Sequence, residues 1–120
     1  MKVMLVDDDE DLINSTRIML EPEGIQLIPA LSGNECLNLL KHERPDYILL
    51  DIDMPEMDGW KTLQEIKKDK ELSKIPVAML TAKTLNPEII EKEEMGLLVD
   101  YISKPFTKKD VIETIRQVYD

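Results

Sequence analysis

Tyr47-Ile48-Leu49-Leu50 is an unbroken apolar run that ends on a carboxylate, Asp51. A strand with one face in water alternates apolar and polar side chains. A continuous run suits a strand covered on both faces, as in a parallel sheet flanked by helices. Four similar runs lie to either side: Val3-Met4-Leu5-Val6, Ile25-Gln26-Leu27-Ile28, Val77-Ala78-Met79-Leu80 and Val99-Asp100-Tyr101-Ile102.

The longer stretches between these runs carry helix signals. The first helix is expected to start near Asp9 and to end before Pro22, with Gly24 as a turn residue and Leu12, Thr16, Met19 and Leu20 facing inward. Ser32-Gly33-Asn34-Glu35 is a capping-box pattern, with Leu37 and Leu40 following at helical spacing. A third helix after Gly59 carries Leu63 and Ile66, and Asn86-Pro87 opens a fourth. Thr107-Lys108-Lys109-Asp110 opens the fifth, with Val111, Ile112, Ile115, Val118 and Tyr119 on one face. Strand–helix–strand crossovers of this length are right-handed. The expected architecture is therefore α/β: a flavodoxin-like (βα)5 doubly wound fold with a five-stranded parallel sheet in the order 2-1-3-4-5.

Composition fits one domain spanning residues 1–120. Hydrophobic residues make up 42% of the 120, enough for a core. Twenty-five acidic residues against 15 basic ones give a formal net charge of -10, which argues against sequence-independent nucleic-acid binding. No apolar run approaches the length of a membrane span, and Met1-Lys2 leads through Val3 to Val6 straight into an acidic cluster, unlike a signal peptide. Cys36 is the only cysteine, so no internal disulfide can form, and a reducing cytoplasmic setting is expected. One cysteine and one histidine, His42, argue against a structural zinc site.

Every strand of a parallel sheet ends on the same edge, and ligands bind there. The first strand is followed by Asp7-Asp8-Asp9-Glu10, and the third by Asp51-Ile52-Asp53. The fourth ends in Thr81-Ala82 and the fifth in Ser103-Lys104-Pro105. Clustered carboxylates raise each other's pKa, and a hard divalent cation such as Mg²⁺ relieves the conflict. An ammonium and a hydroxyl beside it suit phosphate oxygens. The edge predicts Mg²⁺-assisted phosphoryl chemistry, with Asp51, on the central strand, as the candidate nucleophile. Any one of these residues alone could equally be a helix cap or a solvated loop charge; the set of four strand ends carries the argument.

At these residues the sequence resembles the receiver domain of two-component response regulators, the CheY-like family. The marks are Val6-Asp7-Asp8-Asp9, Leu50-Asp51-Ile52-Asp53-Met54-Pro55-Glu56-Met57-Asp58-Gly59, Thr81-Ala82 and Lys104-Pro105-Phe106, and they span essentially the whole chain. The resemblance implies a phosphorylatable switch rather than a turnover enzyme. Asp51 would take a phosphoryl group from the phosphohistidine of a sensor histidine kinase or phosphotransfer protein. Asp8, Asp51 and the backbone carbonyl of Asp53 would ligate Mg²⁺, with Asp7 acting through water. Lys104, Thr81 and the Ala82 amide would hold the phosphoryl oxygens. The Lys104-Pro105 bond would be cis. Thr81 and Tyr101 would form the switch, read out on the surface of the fourth helix, fifth strand and fifth helix by a downstream partner, an effector domain or a phosphorylation-dependent dimer. The family usually carries a Gly-Ala-Asp-Asp-Tyr-like run before the fifth strand, whereas Gly96-Leu97-Leu98-Val99-Asp100-Tyr101 is longer and more apolar. Asp53 and Lys83 would flank the path of the hydrolytic water, and their pairing would lengthen the life of the phosphoaspartate.

Two other functions are open to the same residues. Asp51-Ile52-Asp53 resembles the Asp-x-Asp of haloacid-dehalogenase-type phosphohydrolases, but Met54-Pro55 follows it and 120 residues leave no room for a cap domain. A binding module that kept the fold and lost phosphorylation is the third reading. His42 is expected to be a solvent-facing helix-end residue, Cys36 a small core residue, and Trp60 either a packing or a surface residue beside the site.

Overall fold

The computed structural model describes residues 1–82 and 100–119. Five parallel strands form one sheet: β1 (Lys2–Val6), β2 (Gln26–Ala30), β3 (Tyr47–Asp51), β4 (Val77–Thr81) and β5 (Asp100–Ser103), in the order β2-β1-β3-β4-β5. The described helices are α1 (Glu10–Leu20), α2 (Gly33–Leu39), α3 (Gly59–Lys68) and α4 (Lys108–Tyr119). The expected doubly wound sheet and its strand order are as the sequence pattern predicts. The helix expected at Asn86-Pro87, the run Gly96 to Val99 and Lys83 lie outside the described residues.

The continuous apolar runs have their explanation in two cores. Side chains alternate across a strand, so Met4 and Val6 of β1, Ile48 and Leu50 of β3, and Val77 and Met79 of β4 enter one cluster with Cys36, Leu40, Leu63 and Ile66 of the α2 and α3 side. Their neighbours Val3, Leu5, Tyr47, Leu49, Ala78 and Leu80 enter a second cluster with Ile13, Leu20, Val111 and Ile115 of α1 and α4. Both faces of β1, β3 and β4 are buried, and this fixes their register.

Caps set the helix starts. Asp9 accepts from the Asp11 and Leu12 amides, Ser32 from Glu35 N at 3.0 Å, and Asp58 from Lys61 N at 2.8 Å. Thr107 and Asp110 bond reciprocally: Thr107 N to Asp110 Oδ2 at 2.8 Å and Asp110 N to Thr107 Oγ1 at 3.1 Å.

Some boundaries and faces differ from expectation. The second strand runs Gln26–Ala30: it starts one residue into the apolar run and ends at Pro29-Ala30 as expected, with Ile25 buried in the turn after α1. Pro29 is tolerated there because β2 is an edge strand, where a missing N–H can face away from the sheet. On α1 the buried set is Ile13, Thr16 and Leu20, while Leu12 and Met19 are only partly buried. On α4, Val111 and Ile115 are buried, but Val118 and Tyr119 are exposed. The last turn of α4 reaches the N-terminal edge of the sheet, where the Tyr119 hydroxyl donates to the Asp46 carbonyl at 2.6 Å.

Candidate functional site

The parallel arrangement delivers the C-terminal ends of β1, β3, β4 and β5 to one edge. Asp7 follows the last residue of β1, Asp51 and Thr81 are the last residues of β3 and β4, and Lys104 follows β5. Adjacent register pairs Val6 with Leu50, Asp51 with Leu80 and Thr81 with Ser103, so these ends lie side by side. Carboxylate oxygens of Asp7, Asp8 and Asp51 lie within 4.8 Å of one another. Asp7 and Asp51 are buried, and Asp8 is exposed.

Lys104 binds this cluster. Its ammonium donates to Asp7 Oδ2 at 2.6 Å and forms an ion pair with Asp51 Oδ1 at 3.4 Å. Its backbone N–H donates to the Thr81 carbonyl at 2.7 Å, which ties the β5 end to the β4 end. The Lys104-Pro105 peptide is cis, as expected. Asp7 Oδ1 accepts from Asp9 N at 3.0 Å, and Asp51 Oδ1 accepts from Asp53 N at 3.2 Å. Both carboxylates are therefore oriented by the loops that follow them.

Burial pushes the Asp51 carboxyl up to about 6, and the Asp7 charge adds to the rise. The Lys104 ammonium and the Asp53 N–H act against it. For Lys104, burial opposes the charge, but the hydrogen bond to Asp7 and the charges of Asp51 and Asp7 outweigh it and hold the ammonium above its ordinary range. The site thus pairs a poorly solvated carboxylate with a firmly charged ammonium.

The loop after Asp51 is built around a close approach. A Cβ on Gly59 would lie 2.2 Å from the Asp51 carbonyl oxygen and 2.8 Å from Ile52 Cα, so α3 can start against β3 only with glycine there. Gly59 N donates to the Ile52 carbonyl at 2.9 Å. Glu56 takes a left-handed φ of 67°, and Met54 is buried beneath the loop.

The structure brings together Asp7, Asp8, Asp51 and Lys104, and it places Thr81 and Ala82 on the same edge. The Asp53 side chain is exposed, and what a hydrogen bond fixes is its backbone N–H. Tyr101 of β5 is half-buried against the α2 and α3 core, with its ring centroid 6.3 Å from that of Trp60 and the planes tilted by 55°. Two features were not read from the sequence. The role of Gly59 had a signal: a glycine at the first position of a helix, where a better helix former would serve unless space forbids it. The Trp60–Tyr101 contact had none, since the two lie 41 positions apart in the chain.

Cys36 is fully buried, and burial pushes its thiol up to about 12, so it behaves as a core residue. His42 is exposed in the turn after α2, which leads to the opposite edge of the sheet.

The chain is similar in sequence and fold to known proteins. The chain is 39% identical over 117 residues to a probable transcriptional regulator, ycf27, of Guillardia theta; the match covers 98% of this chain and 44% of that protein, so the chain spans less than half its length. The N-terminal domain of a response regulator receiver protein from Methanoculleus marisnigri JR1 is 44% identical, with 98% of this chain and 94% of that one covered and a TM-score of 0.79. Chemotaxis protein CheY4 of Vibrio cholerae, 26% identical with 98% and 97% covered, superimposes with a TM-score of 0.89. The response regulator receiver domain model matches residues 3–116, and the chain belongs to that family, the receiver domains of two-component systems.

Proposed function

We propose that the chain is a phosphorylatable switch in which Asp51 accepts a phosphoryl group from the phosphohistidine of a histidine kinase or phosphotransfer protein. The observation that supports this most strongly is the placement of Asp51: buried at the end of the central strand, ion-paired to Lys104, its oxygens within 4.8 Å of those of Asp7 and Asp8. In the transfer, an Asp51 carboxylate oxygen bonds to phosphorus, the P–N bond breaks, and the electron pair returns to the imidazole. Lys104, held charged, neutralises the oxygens of the arriving group, and Thr81 and the Ala82 amide donate to them from the end of β4.

The donor set fits Mg²⁺: hard oxygen ligands from Asp8 and Asp51, the Asp53 carbonyl, and Asp7 through water, on an edge with one side open to solvent. The ion would supply charge neutralisation between the carboxylates and the phosphoryl oxygens. Thr81 and Tyr101 form the switch, and phosphorylation biases the surface of β5, α4 and the segment between β4 and β5 toward an output partner, an effector domain or a second copy. The protein modifies only itself and turns over no separate substrate. It works in the cytoplasm; among the described residues no helix is long and apolar enough to cross a membrane.

The test is the intact mass after incubation with Mg²⁺ and a small acyl phosphate, beside an Asp51→Asn control. One added phosphoryl group in the parent, absent in the control and without Mg²⁺, is the expected result. No adduct, together with no Mg²⁺-dependent response of Trp60 fluorescence to beryllofluoride, would leave a receiver-shaped binding module.

A further inference from the structure

Trp60 and Tyr101 lie on elements fixed to opposite ends of the site. Trp60 follows Gly59, whose Cα abuts the Asp51 carbonyl, and Gly59 N is bonded to Ile52. The indole is 5% exposed and belongs to the same core as Leu63 and Ile66. The Trp60 backbone is held where α3 starts against β3. Tyr101 lies on the edge strand β5, paired with Met79 of β4, two residues before Thr81 and three before Lys104. Its ring is half-buried, and the centroid separation of 6.3 Å with a 55° tilt falls within the range in which aromatic pairs attract.

Beside Tyr101, on the other side of the edge strand, an open groove of about 320 Å³ runs past Ser103 and Pro105 to Asp110, Glu113 and Gln117 of α4. Tyr101 lines this groove as well as meeting Trp60, so the residue borders open space along α4. Tyr101 thus stands between the buried indole of Trp60 on one side and an open groove along α4 on the other.

We propose that Trp60 is a positioning residue for the switch. Its indole is the docking face that holds the Tyr101 ring inward, so the Trp60–Tyr101 contact stabilises the conformation favoured by a phosphoryl group on Asp51. The inference rests on the switch reading above and deepens it. Because the indole is anchored through Gly59 to the Asp51 backbone, the two-state element has a fixed wall on one side and a mobile ring on the other. The contact is already made in the structure without ligand, so the wall acts by raising the share of the chain that holds the ring inward, ready for a ligand that favours that state. A variant without that wall binds the same ligand less tightly.

A double-mutant cycle tests this. The parent, Trp60→Leu, Tyr101→Leu and the double variant are titrated with beryllofluoride at saturating Mg²⁺, with bound ligand read by fluorine NMR and folding monitored by urea midpoint. Each single variant is expected to weaken binding about two- to tenfold. The double variant is expected to bind no worse than the weaker single, and Trp60→Phe, which keeps a ring on the wall, to bind within about twofold of the parent. Single effects that multiply in the double variant overturn the proposal, because they show two residues acting separately. If Trp60→Leu does not fold, Tyr101→Leu is decisive alone: it should abolish most of the Trp60 emission change on beryllofluoride binding, and an undiminished change overturns the contact as the cause. A parent that binds no beryllofluoride overturns the switch reading and this inference with it. A parent that binds while the effects multiply overturns the inference only.

Discussion

Lys104 reaches Asp7 across 97 residues of sequence and bonds to it at 2.6 Å, closer than its 3.4 Å approach to Asp51. The ammonium is thus committed mainly to a carboxylate that is itself 1% exposed. A buried Asp7 without that partner would be left with one N–H donor, from Asp9, among the hydrogen bonds on this edge. Lys104→Met is therefore expected to destabilise the chain at neutral pH by roughly 1–3 kcal/mol, the range for losing a charge-assisted hydrogen bond to a buried group. Mg²⁺ should restore part of that loss by supplying the missing positive charge. Urea unfolding of parent and variant with and without Mg²⁺ measures both, and equal midpoints without the ion would show that the contact contributes nothing.

Asp51 predicts an opposite sign. Its folded carboxyl is raised to about 6, chiefly by burial and then by Asp7. A raised carboxylate means that the folded state binds the extra proton between the unfolded value near 4 and the folded value near 6, so its contribution to stability falls as pH rises through that window. Asp51→Asn removes the buried charge. The variant is expected to be more stable than the parent at pH 7.5 by roughly 1–3 kcal/mol, a gain that shrinks to nothing near pH 4. Mg²⁺ should narrow the gap by stabilising the parent alone. Thermal or urea unfolding across that range, at fixed ionic strength, reads the sign directly; a variant less stable than the parent at pH 7.5 would refute it.

Gly59 offers a packing test. An added Cβ would meet backbone atoms of Asp51 and Ile52 at 2.2 to 2.9 Å, and backbone cannot rotate aside as a side-chain tip can. Gly59→Ala should cost about 1–3 kcal/mol through overpacking and should slow phosphorylation by displacing the loop that orients Asp51. Gly24→Ala is the contrasting case. A Cβ at Gly24 meets nothing within 4 Å, and its left-handed φ of 78° costs about 1 kcal/mol without touching the edge that carries Asp51. Comparing stability and acyl-phosphate labelling for the two separates the effects, and a Gly59→Ala that labels at the parental rate would show that the loop tolerates the shift.

What was legible in the sequence follows from which forces are local. The apolar runs announced β1, β3 and β4 because those strands are buried on both faces. The carboxylates at their ends gathered on one edge by the logic of parallel strands alone. On the inward face of α1, Thr16 and Leu20 are buried as expected and Leu12 and Met19 pack at its margin, while Ile13 takes the central place, because helix rotation is set by packing against the sheet rather than by the helix's own pattern. Val118 and Tyr119 of α4 keep a helical apolar period past the point where the sheet ends, so periodicity overstated the core there. The Trp60–Tyr101 contact lay beyond reach because it depends on the distance between two elements, which no spacing encodes.

Three successive aspartates after β1 do three different things, and substitution should separate them. Asp7 holds Lys104, Asp8 stands exposed with an oxygen within 4.8 Å of those of Asp7 and Asp51, and Asp9 caps α1 through the Asp11 and Leu12 amides. Asp8→Asn removes one of the proposed Mg²⁺ ligands and, among the described residues, no hydrogen bond that stabilises the fold. It should lower Mg²⁺ affinity by roughly tenfold or more and leave the urea midpoint, measured without the ion, near that of the parent. Asp9→Ala should do the reverse, costing about 1 kcal/mol through the lost cap while Mg²⁺ affinity stays close to parental. Trp60 emission during Mg²⁺ titration and urea unfolding of each variant give the two readouts. If Asp9→Ala weakened Mg²⁺ as much as Asp8→Asn, the assignment of the ion to Asp8 and Asp51 would fail, because the cluster would then be acting through net charge rather than through ligands in fixed positions.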